Sequence, residues 1–154
     1  MAIENQIVYA AFILCPLFKT LNLDMKYTQI KETCLYISDI DLAEKFYHET
    51  LEMPVISKVN DRHIFFRCGS SVLLCFLPEV TKNETNLPPH FAEGKQHIAF
   101  EVSAEDFSES KQKLIDCGIK ITHEQEWSKG QKSIYFEDPF GNVLELVPKG
   151  IWEV

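Results

Sequence analysis

The stretch that decides how the rest of this chain is interpreted is Ile134–Pro148, Ile-Tyr-Phe-Glu-Asp-Pro-Phe-Gly-Asn-Val-Leu-Glu-Leu-Val-Pro. The segment from Asp138 to Asn142 predicts a tight turn, because Pro139 fixes φ and Gly141 accepts a positive φ. The Asp and Asn side chains at its two ends can bond the local backbone. The turn therefore separates one short apolar strand from the next.

The two strands that flank this turn run from Ser133 to Glu137 and from Val143 to Val147. Side chains alternate along a strand, so Glu145 shares one face with the two valines, and the leucines take the other face. A carboxylate among apolar residues is costly unless it is paired, hydrogen-bonded or bound to a metal. Glu145 is therefore the first candidate functional residue.

Length and composition indicate a globular protein that acts on small molecules. The 154 residues are 45% hydrophobic, which is enough for one compact unit or two packed halves. The formal charge is −8 and no basic block offsets it, which argues against binding to nucleic acid or to an anionic membrane. The expected partners are a small-molecule substrate and a second copy of the chain.

The cysteines and the first residues indicate a cytoplasmic protein with an N-terminal extension. The five cysteines are scattered without a Cys-x-x-Cys pair, which is typical of reduced thiols buried in a cytosolic protein. Residues 1–24 form an extension, either an accessory helix or a leader, before a domain at 25–154. Its apolar run, residues 7–18, is too short to span a bilayer.

The domain is predicted to contain two copies of one βαβββ module, residues 30–77 and 96–148, joined by a loop at 78–95. The run that begins Glu32-Thr-Cys-Leu-Tyr-Ile aligns with the run that begins His97-Ile-Ala-Phe-Glu-Val. The fold class is α+β. The predicted strands are 30–37, 55–59, 62–68 and 71–77, then 96–102, 119–125, 133–137 and 143–147; the predicted helices are 39–51 and 104–117.

The duplication places polar residues at equivalent positions. Glu32 and His97 are equivalent in the first strands of the modules, as are Leu74 and Glu145 in the last strands. By strand alternation, the two carboxylates and the imidazole can all point to one concave face. Such a set can hold a divalent cation and leave positions open for water or substrate.

These motifs resemble the vicinal oxygen chelate superfamily, which contains glyoxalase I, extradiol dioxygenases, methylmalonyl-CoA epimerase, and fosfomycin and bleomycin resistance proteins. The resemblance extends from Ile30 to Pro148. It is carried by Glu32-Thr-Cys-Leu-Tyr-Ile-Ser-Asp, by Gln96-His-Ile-Ala-Phe-Glu-Val and by Tyr135-Phe-Glu-Asp-Pro-Phe-Gly-Asn-Val-Leu-Glu145. It implies two modules curled around a metal-binding cleft, and a homodimer.

The resemblance also implies one divalent metal ion held by Glu32, His97 and Glu145. Glu32 stands where the family often has His, and Leu74 stands where glyoxalase I has Glu, so the ion can be Ni²⁺, Mn²⁺, Zn²⁺, Mg²⁺ or Fe²⁺. The implied reaction is of the glyoxalase type. A carboxylate removes a proton α to a carbonyl, and the metal stabilises the enediolate. The alternatives are an extradiol dioxygenase and a metal-free drug-binding protein.

Further candidates surround this set. Tyr135 is a candidate catalytic residue or an ordinary strand residue, and His123 lies farther from it in sequence than the dioxygenase signature allows. Cys34 shares the face of Glu32 as a buried thiol. The candidate substrate-binding residues, each also explicable as an ordinary surface, loop or strand residue, are His63, Arg67, His90 and Trp127.

Overall fold

The computed structural model of the protein describes residues 26–153, so the predicted N-terminal extension lies outside the described residues. The elements, in chain order, are β1 (Glu32–Tyr36), α1 (Ile40–Ala43), a π-helical segment (Glu44–Thr50), β2 (Val55–Val59), β3 (His63–Cys68), β4 (Ser71–Phe76), α2 (Pro78–Thr81), β5 (His97–Val102), α3 (Phe107–Asp116), β6 (His123–Glu126), a 3₁₀ turn (Ser128–Gly130), β7 (Lys132–Glu137) and β8 (Val143–Pro148).

The strands form two four-stranded mixed sheets with the same topology, β1-β4-β3-β2 and β5-β8-β7-β6. In each sheet the first and last strands of the module are parallel and the other pairs are antiparallel. Glu32 lies opposite Val72, and His97 lies opposite Val143, so the register repeats as well. The predicted duplication of a βαβββ module is confirmed, and β1 and β5 are edge strands of their sheets.

The helices begin and end at signals that the sequence carries. The Asp39 side chain accepts a hydrogen bond from the Leu42 amide at 2.8 Å at the start of α1. At the end of α3, Gly118 has a φ of 79°, which suits a glycine after a helix. The helix predicted for 39–51 is α-helical only at first and then becomes π-helical.

Two predicted starts are wrong by three residues or more, and one predicted loop contains a helix. The helix predicted from residue 104 begins at Phe107, and the strand predicted for 119–125 begins at His123. Ile119 and Ile121 pack against the core instead, so their alternation reflects burial outside a strand ladder. The loop predicted for 78–95 contains the short helix α2.

One hydrophobic core joins the two modules. Leu35, Ile64 and Phe66 of the first sheet and Phe136 and Leu144 of the second belong to one cluster, and each is at most 1% exposed. These residues all lie on the faces that turn away from Glu32, His97 and Glu145. The two polar faces are therefore left outside the shared core.

The turn predicted at 138–142 also connects the modules. Asp138 accepts hydrogen bonds from the Phe140 and Asn142 amides within the turn. Its second oxygen accepts a hydrogen bond of 2.7 Å from the hydroxyl of Tyr47, in the π-helical segment of the first module. Asn142 donates to the Tyr36 carbonyl at the end of β1. The turn thus fixes the position of β8 relative to the first module.

Candidate functional site

His97 and Glu145 form the centre of the candidate site. His97 lies at the start of β5 and Glu145 lies on β8, and the imidazole Nε2 is 3.4 Å from the carboxylate Oε2. The His97 Nδ1 lies 3.0 Å from the Val143 carbonyl, which can only accept a hydrogen bond. Nδ1 therefore carries the proton in the neutral ring, and the lone pair of Nε2 faces the carboxylate.

Glu145 has a carboxylate oxygen without a hydrogen-bond partner. Its side chain is 7% exposed, and its Oε1 is buried with no hydrogen-bond partner. A buried carboxylate oxygen without a partner is costly, and a cation bound beside the free Nε2 would remove that cost. An imidazole fixed through Nδ1 by a backbone carbonyl is also the usual state of a metal-binding histidine. The pair therefore fits a divalent cation.

Tyr135 lies beside this pair on β7. It is the cross-strand partner of Glu145, and its ring centre is 5.9 Å from that of His97. Burial raises the pKa of the Tyr135 phenol, and so do a hydrogen bond to Glu145 and the charge of that residue. The phenol therefore keeps its proton at neutral pH.

His123 is closer to this cluster than its place in the sequence suggests. β6 pairs it directly with Tyr135, and the two ring centres are 5.7 Å apart. Trp127 follows β6, and its indole Nε1 donates to the hydroxyl of Ser133 on β7 at 2.8 Å. The hairpin thus places His123 beside Tyr135 and Trp127 beside Ser133, and of these residues Tyr135 is the one paired with Glu145.

His63, on the first sheet, has both ring nitrogens in hydrogen bonds. Arg62 donates to its Nδ1 at 2.8 Å, so Nε2 carries the proton and donates to the Ser57 hydroxyl at 2.9 Å. Burial, and then the charge of Arg62, lower the pKa of His63. Arg62 is in turn paired with Glu84 through two hydrogen bonds. These contacts commit His63 to internal bonds.

His90 and Arg67 also lie at the face of the first sheet. The His90 ring stacks on Phe76 with a centre-to-centre distance of 4.7 Å, and its Nδ1 is buried without a partner. Arg67 lies opposite Val72 in the same row as Glu32, and its guanidinium donates to the Ser71 carbonyl at 3.4 Å. Among residues 26–153 it forms no ion pair, so it remains available to an anionic group.

Glu32 does not join His97 and Glu145 within one chain. In the described part of the chain, no three His, Cys, Asp or Glu side chains are close enough together to hold a metal ion. Glu32 is exposed on β1 and lines a groove of about 540 Å³ that His97, on the edge strand β5, also lines. Its neighbour Cys34 is half-buried, and burial followed by the charge of Glu32 raises the pKa of that thiol.

The sequence did not single out Ser133 or Trp152 as members of the site. Ser133 is fully buried and shares the face of Tyr135, which strand alternation predicts. Trp152 packs edge-on against Trp127 with ring centres 5.2 Å apart, after the last strand. No pattern in the sequence indicates that contact.

None of the helices formed by residues 26–153 has the length and apolar character needed to cross a membrane.

Comparison with known proteins gives a family and several relatives. A family model described as the Glyoxalase/Bleomycin resistance protein/Dioxygenase superfamily matches residues 29–146. The glutathione transferase FosA of Serratia marcescens is 32% identical over 112 residues, which are 73% of this chain and 74% of that protein. The metallothiol transferase FosB of Staphylococcus epidermidis is 27% identical over 124 residues, 79% of this chain and 82% of that protein.

A solved structure resembles the chain over a similar length. The crystal structure of lactoylglutathione lyase from Agrobacterium tumefaciens superposes with a TM-score of 0.78 at 32% identity. The match covers 82% of this chain and 98% of that chain. The relatives are therefore matched over most of their own length, and their names describe enzymes.

Proposed function

The chain belongs to the Glyoxalase/Bleomycin resistance protein/Dioxygenase superfamily, and from that premise we propose that it is a divalent-metal enzyme acting on a small oxygen-chelating substrate. The observation that supports this most is the His97–Glu145 pair, with a free imidazole lone pair beside a buried carboxylate oxygen that has no partner. When bound, the ion polarises an oxygen of the substrate. The proposed reaction is proton removal next to a carbonyl, as in a glyoxalase.

Glu32 of a second copy is proposed to complete the site. Both β1 and β5 lie at sheet edges, and an unpaired edge is a surface on which another strand can be placed. A two-fold dimer with β1 of one copy beside β5 of the other would bring Glu32 toward His97. The Glu32 carboxylate is exposed and forms no hydrogen bond or ion pair within residues 26–153. It is therefore the group proposed to serve as third metal ligand and as proton acceptor.

Thiol transfer is the second candidate function. It is favoured by the relatives FosA and FosB, whose names describe a glutathione transferase and a metallothiol transferase. In this reaction a thiol adds to an electrophile that is polarised at the same site. No carboxylate is needed to remove a proton from the carbon that reacts. The two candidates therefore differ in their need for Glu32 as a base.

Metal analysis tests the site itself. Protein purified without a metal-affinity tag is stripped with a chelator and titrated with Mn²⁺, Ni²⁺, Zn²⁺ and Fe²⁺. We expect saturable binding that is lost in His97→Ala and Glu145→Gln, and kept in His48→Ala and Glu49→Gln, whose residues are exposed on the π-helical segment. Binding that persists in both site variants would contradict the proposal.

Subunit mixing tests whether the site lies between two copies. Glu32→Gln and His97→Ala are each expected to abolish activity, because every site in either homodimer then lacks one group. In a mixed dimer one site regains both, so random mixing restores about a quarter of wild-type activity. No recovery in a sample that has exchanged subunits would refute a shared site and leave the metal proposal to the titration.

Substrate assays separate the two reactions. Lyase activity is measured with hemithioacetals formed from 2-oxoaldehydes and a thiol, and transferase activity is measured by thiol consumption with a small epoxide. Glyoxalase-type chemistry predicts turnover in the first assay and its loss in Glu32→Gln. Turnover only in the second assay, with partial activity in that variant, would favour thiol transfer.

A further inference from the structure

A cavity of about 290 Å³ lies between the two modules, at the end of the π-helical segment. Most of its wall is apolar. Leu51 and Met53 line it just after the π-helical segment, Phe100 and Val102 line it from β5, and Leu114 lines it from α3. Its volume is at the lower end of the sizes found for small-molecule sites, which are mostly apolar with a few polar groups. The wall therefore suits a ligand with an apolar body.

The cavity is separate from the proposed metal site. Side chains alternate along β5, so Phe100 and Val102 lie on the face opposite to that of His97. Phe136 and Leu146 also line the cavity, and they are almost fully buried in the core that the two modules share. None of the three proposed metal ligands is among the residues that line it. A ligand in the cavity would therefore contact a different set of side chains.

Three side chains that are charged at neutral pH line the cavity, namely Glu52, Glu101 and Lys113. The Lys113 Nζ is 2.5 Å from a carboxylate oxygen of Glu52, and the two side chains are 51% and 67% exposed. Glu101 is exposed, and its side chain forms no ion pair or hydrogen bond within residues 26–153. Two carboxylates and one ammonium give the lining a net negative charge, which attracts a cation and repels an anion.

The backbone that presents Glu52 to the cavity is unusual. Its φ is 58°, and it is the one residue other than glycine with a positive φ among residues 26–153. Glycine or asparagine normally occupies such a position after a helix, because a side chain is strained there. The π-helical segment before it is also a rare conformation that is frequent at functional sites. A carboxylate is thus held at the cavity where glycine would suit the backbone better.

We propose that this cavity binds a small organic cation with an apolar body, of the phenylalkylammonium class. The inference does not rest on the proposed metal site. The apolar part of the ligand lies between Phe100 and Leu114, and its ammonium group replaces Lys113 beside Glu52. The exchange costs little, because an exposed ion pair contributes little stability. The free carboxylate of Glu101 supplies the second negative charge.

The first experiment is calorimetry on the full-length, metal-free protein with three probes that share one apolar group, 4-phenylbutylamine, 4-phenyl-1-butanol and 4-phenylbutyrate. We expect the amine to bind about two- to fivefold more tightly than the alcohol, and the carboxylate to bind most weakly. Glu101→Gln should lower the affinity for the amine alone, whereas Lys113→Gln should raise it, because Glu52 then has no competing partner. Glu105→Gln, which changes an exposed carboxylate outside the cavity, is the control.

The second experiment locates the bound amine. The ¹³C-methyl resonance of Met53 is assigned with Met53→Leu, and we expect it to shift as the amine saturates the protein. Val102→Phe and Ser110→Phe each place a ring in the cavity from a different element, β5 and α3 respectively. Either variant that is shown to fold by circular dichroism should lose binding of the amine and of the alcohol.

The outcomes are independent of the proposed function, because every measurement uses the metal-free protein. Equal affinities for the amine and the carboxylate would overturn the inference, as would an unshifted Met53 methyl resonance at saturation or retained binding in a folded variant with a filled cavity. Absence of binding by all three probes would overturn it as well. If the protein is then a dimer that dissociates in Val102→Phe, a second copy occupies the cavity instead of a ligand. The Mn²⁺ titration of the metal site stands or fails separately.

Discussion

Removal of the Asp138 carboxylate should destabilise the protein more than any surface substitution, because the carboxylate holds both a turn and a contact between modules. It is 5% exposed and accepts four hydrogen bonds. The donors are Tyr47 Oη at 2.7 Å, the Phe140 amide at 2.9 Å, the Asn142 amide at 2.8 Å and Asn142 Nδ2 at 2.8 Å. Two of the donors are buried side chains, Tyr47 at 0% and Asn142 at 2% exposure.

The magnitude follows from what each substitution leaves behind. Asp138→Ala removes the acceptor from all four hydrogen bonds, of whose donors only Asn142 Nδ2 has another acceptor, the Tyr36 carbonyl. We expect a loss of about 3–5 kcal/mol, as for one partner removed from a buried charged network. Tyr47→Phe removes one bond to a charged acceptor while three remain, so the expected loss is about 1.5–3 kcal/mol. Asp138→Asn replaces one of the two accepting oxygens by an NH2 group that cannot accept a hydrogen bond, and its cost should lie between the two.

Urea denaturation followed by circular dichroism measures these losses of stability. Asp61→Ala, at an exposed turn, is the control. The control should stay within about 0.5 kcal/mol of wild type. In the double variant Tyr47→Phe/Asp138→Ala the losses should be less than additive, since both changes remove the same bond. A loss below about 1 kcal/mol for Asp138→Ala would refute the claim that this turn connects the modules.

Three further predictions concern pH and backbone conformation. Burial, and then the charges of Cys75 and Asp138, raise the pKa of Tyr47, so above about pH 10 the folded state keeps a proton that the unfolded state loses. The free energy of unfolding should therefore fall by about 1.4 kcal/mol per pH unit more in wild type than in Tyr47→Phe. Urea titration at each pH measures this difference. Burial lowers the pKa of His63, so the neutral ring stabilises the fold above about pH 6.5 and this stability is lost on acidification. The decrease in the free energy of unfolding between about pH 7 and pH 5, measured by urea titration, should be smaller in His63→Gln than in wild type. Equal decreases would contradict the structure. Gly118→Ala should lower the free energy of unfolding by about 1 kcal/mol, because φ is 79° at this position. An added Cβ meets nothing within 4 Å, so backbone strain is the whole effect. Thermal unfolding measures the loss, and Gly118→Asn is the comparison because asparagine tolerates this conformation better.

The site could be predicted from sequence as far as strand alternation reaches. Glu145 and Tyr135 lie on one face because side chains alternate, and His97 reaches them because β5 and β8 are neighbours in the sheet. The register of β6 was harder to predict. His123 is twelve positions before Tyr135, farther than the dioxygenase signature allows, yet the 3₁₀ turn absorbs the extra residues and the two side chains lie opposite each other.

The partners of His63 and His90 also depend on contacts that no local pattern indicates. Glu84 lies in the loop between the modules and pairs with Arg62, which then fixes the tautomer of His63. His90 is held over Phe76 because its backbone bonds to Thr81 at the end of α2. Both arrangements join residues that are distant in sequence, so they arise only when the loop folds back on the sheet.

The sequence by itself determined the duplicated βαβββ module, the face on which each candidate residue lies, and the turn at Asp138, because strand alternation and turn chemistry act over a few neighbouring residues. Only the tertiary structure decided which candidate residues meet. His97 and Glu145 lie together because β5 and β8 are neighbours in one sheet, and Glu32 lies apart on the edge strand of the other sheet, which the shared core joins to the first. Strand alternation determines the face on which a side chain lies. It does not determine which elements lie against that face, because the packing of the whole core decides their placement.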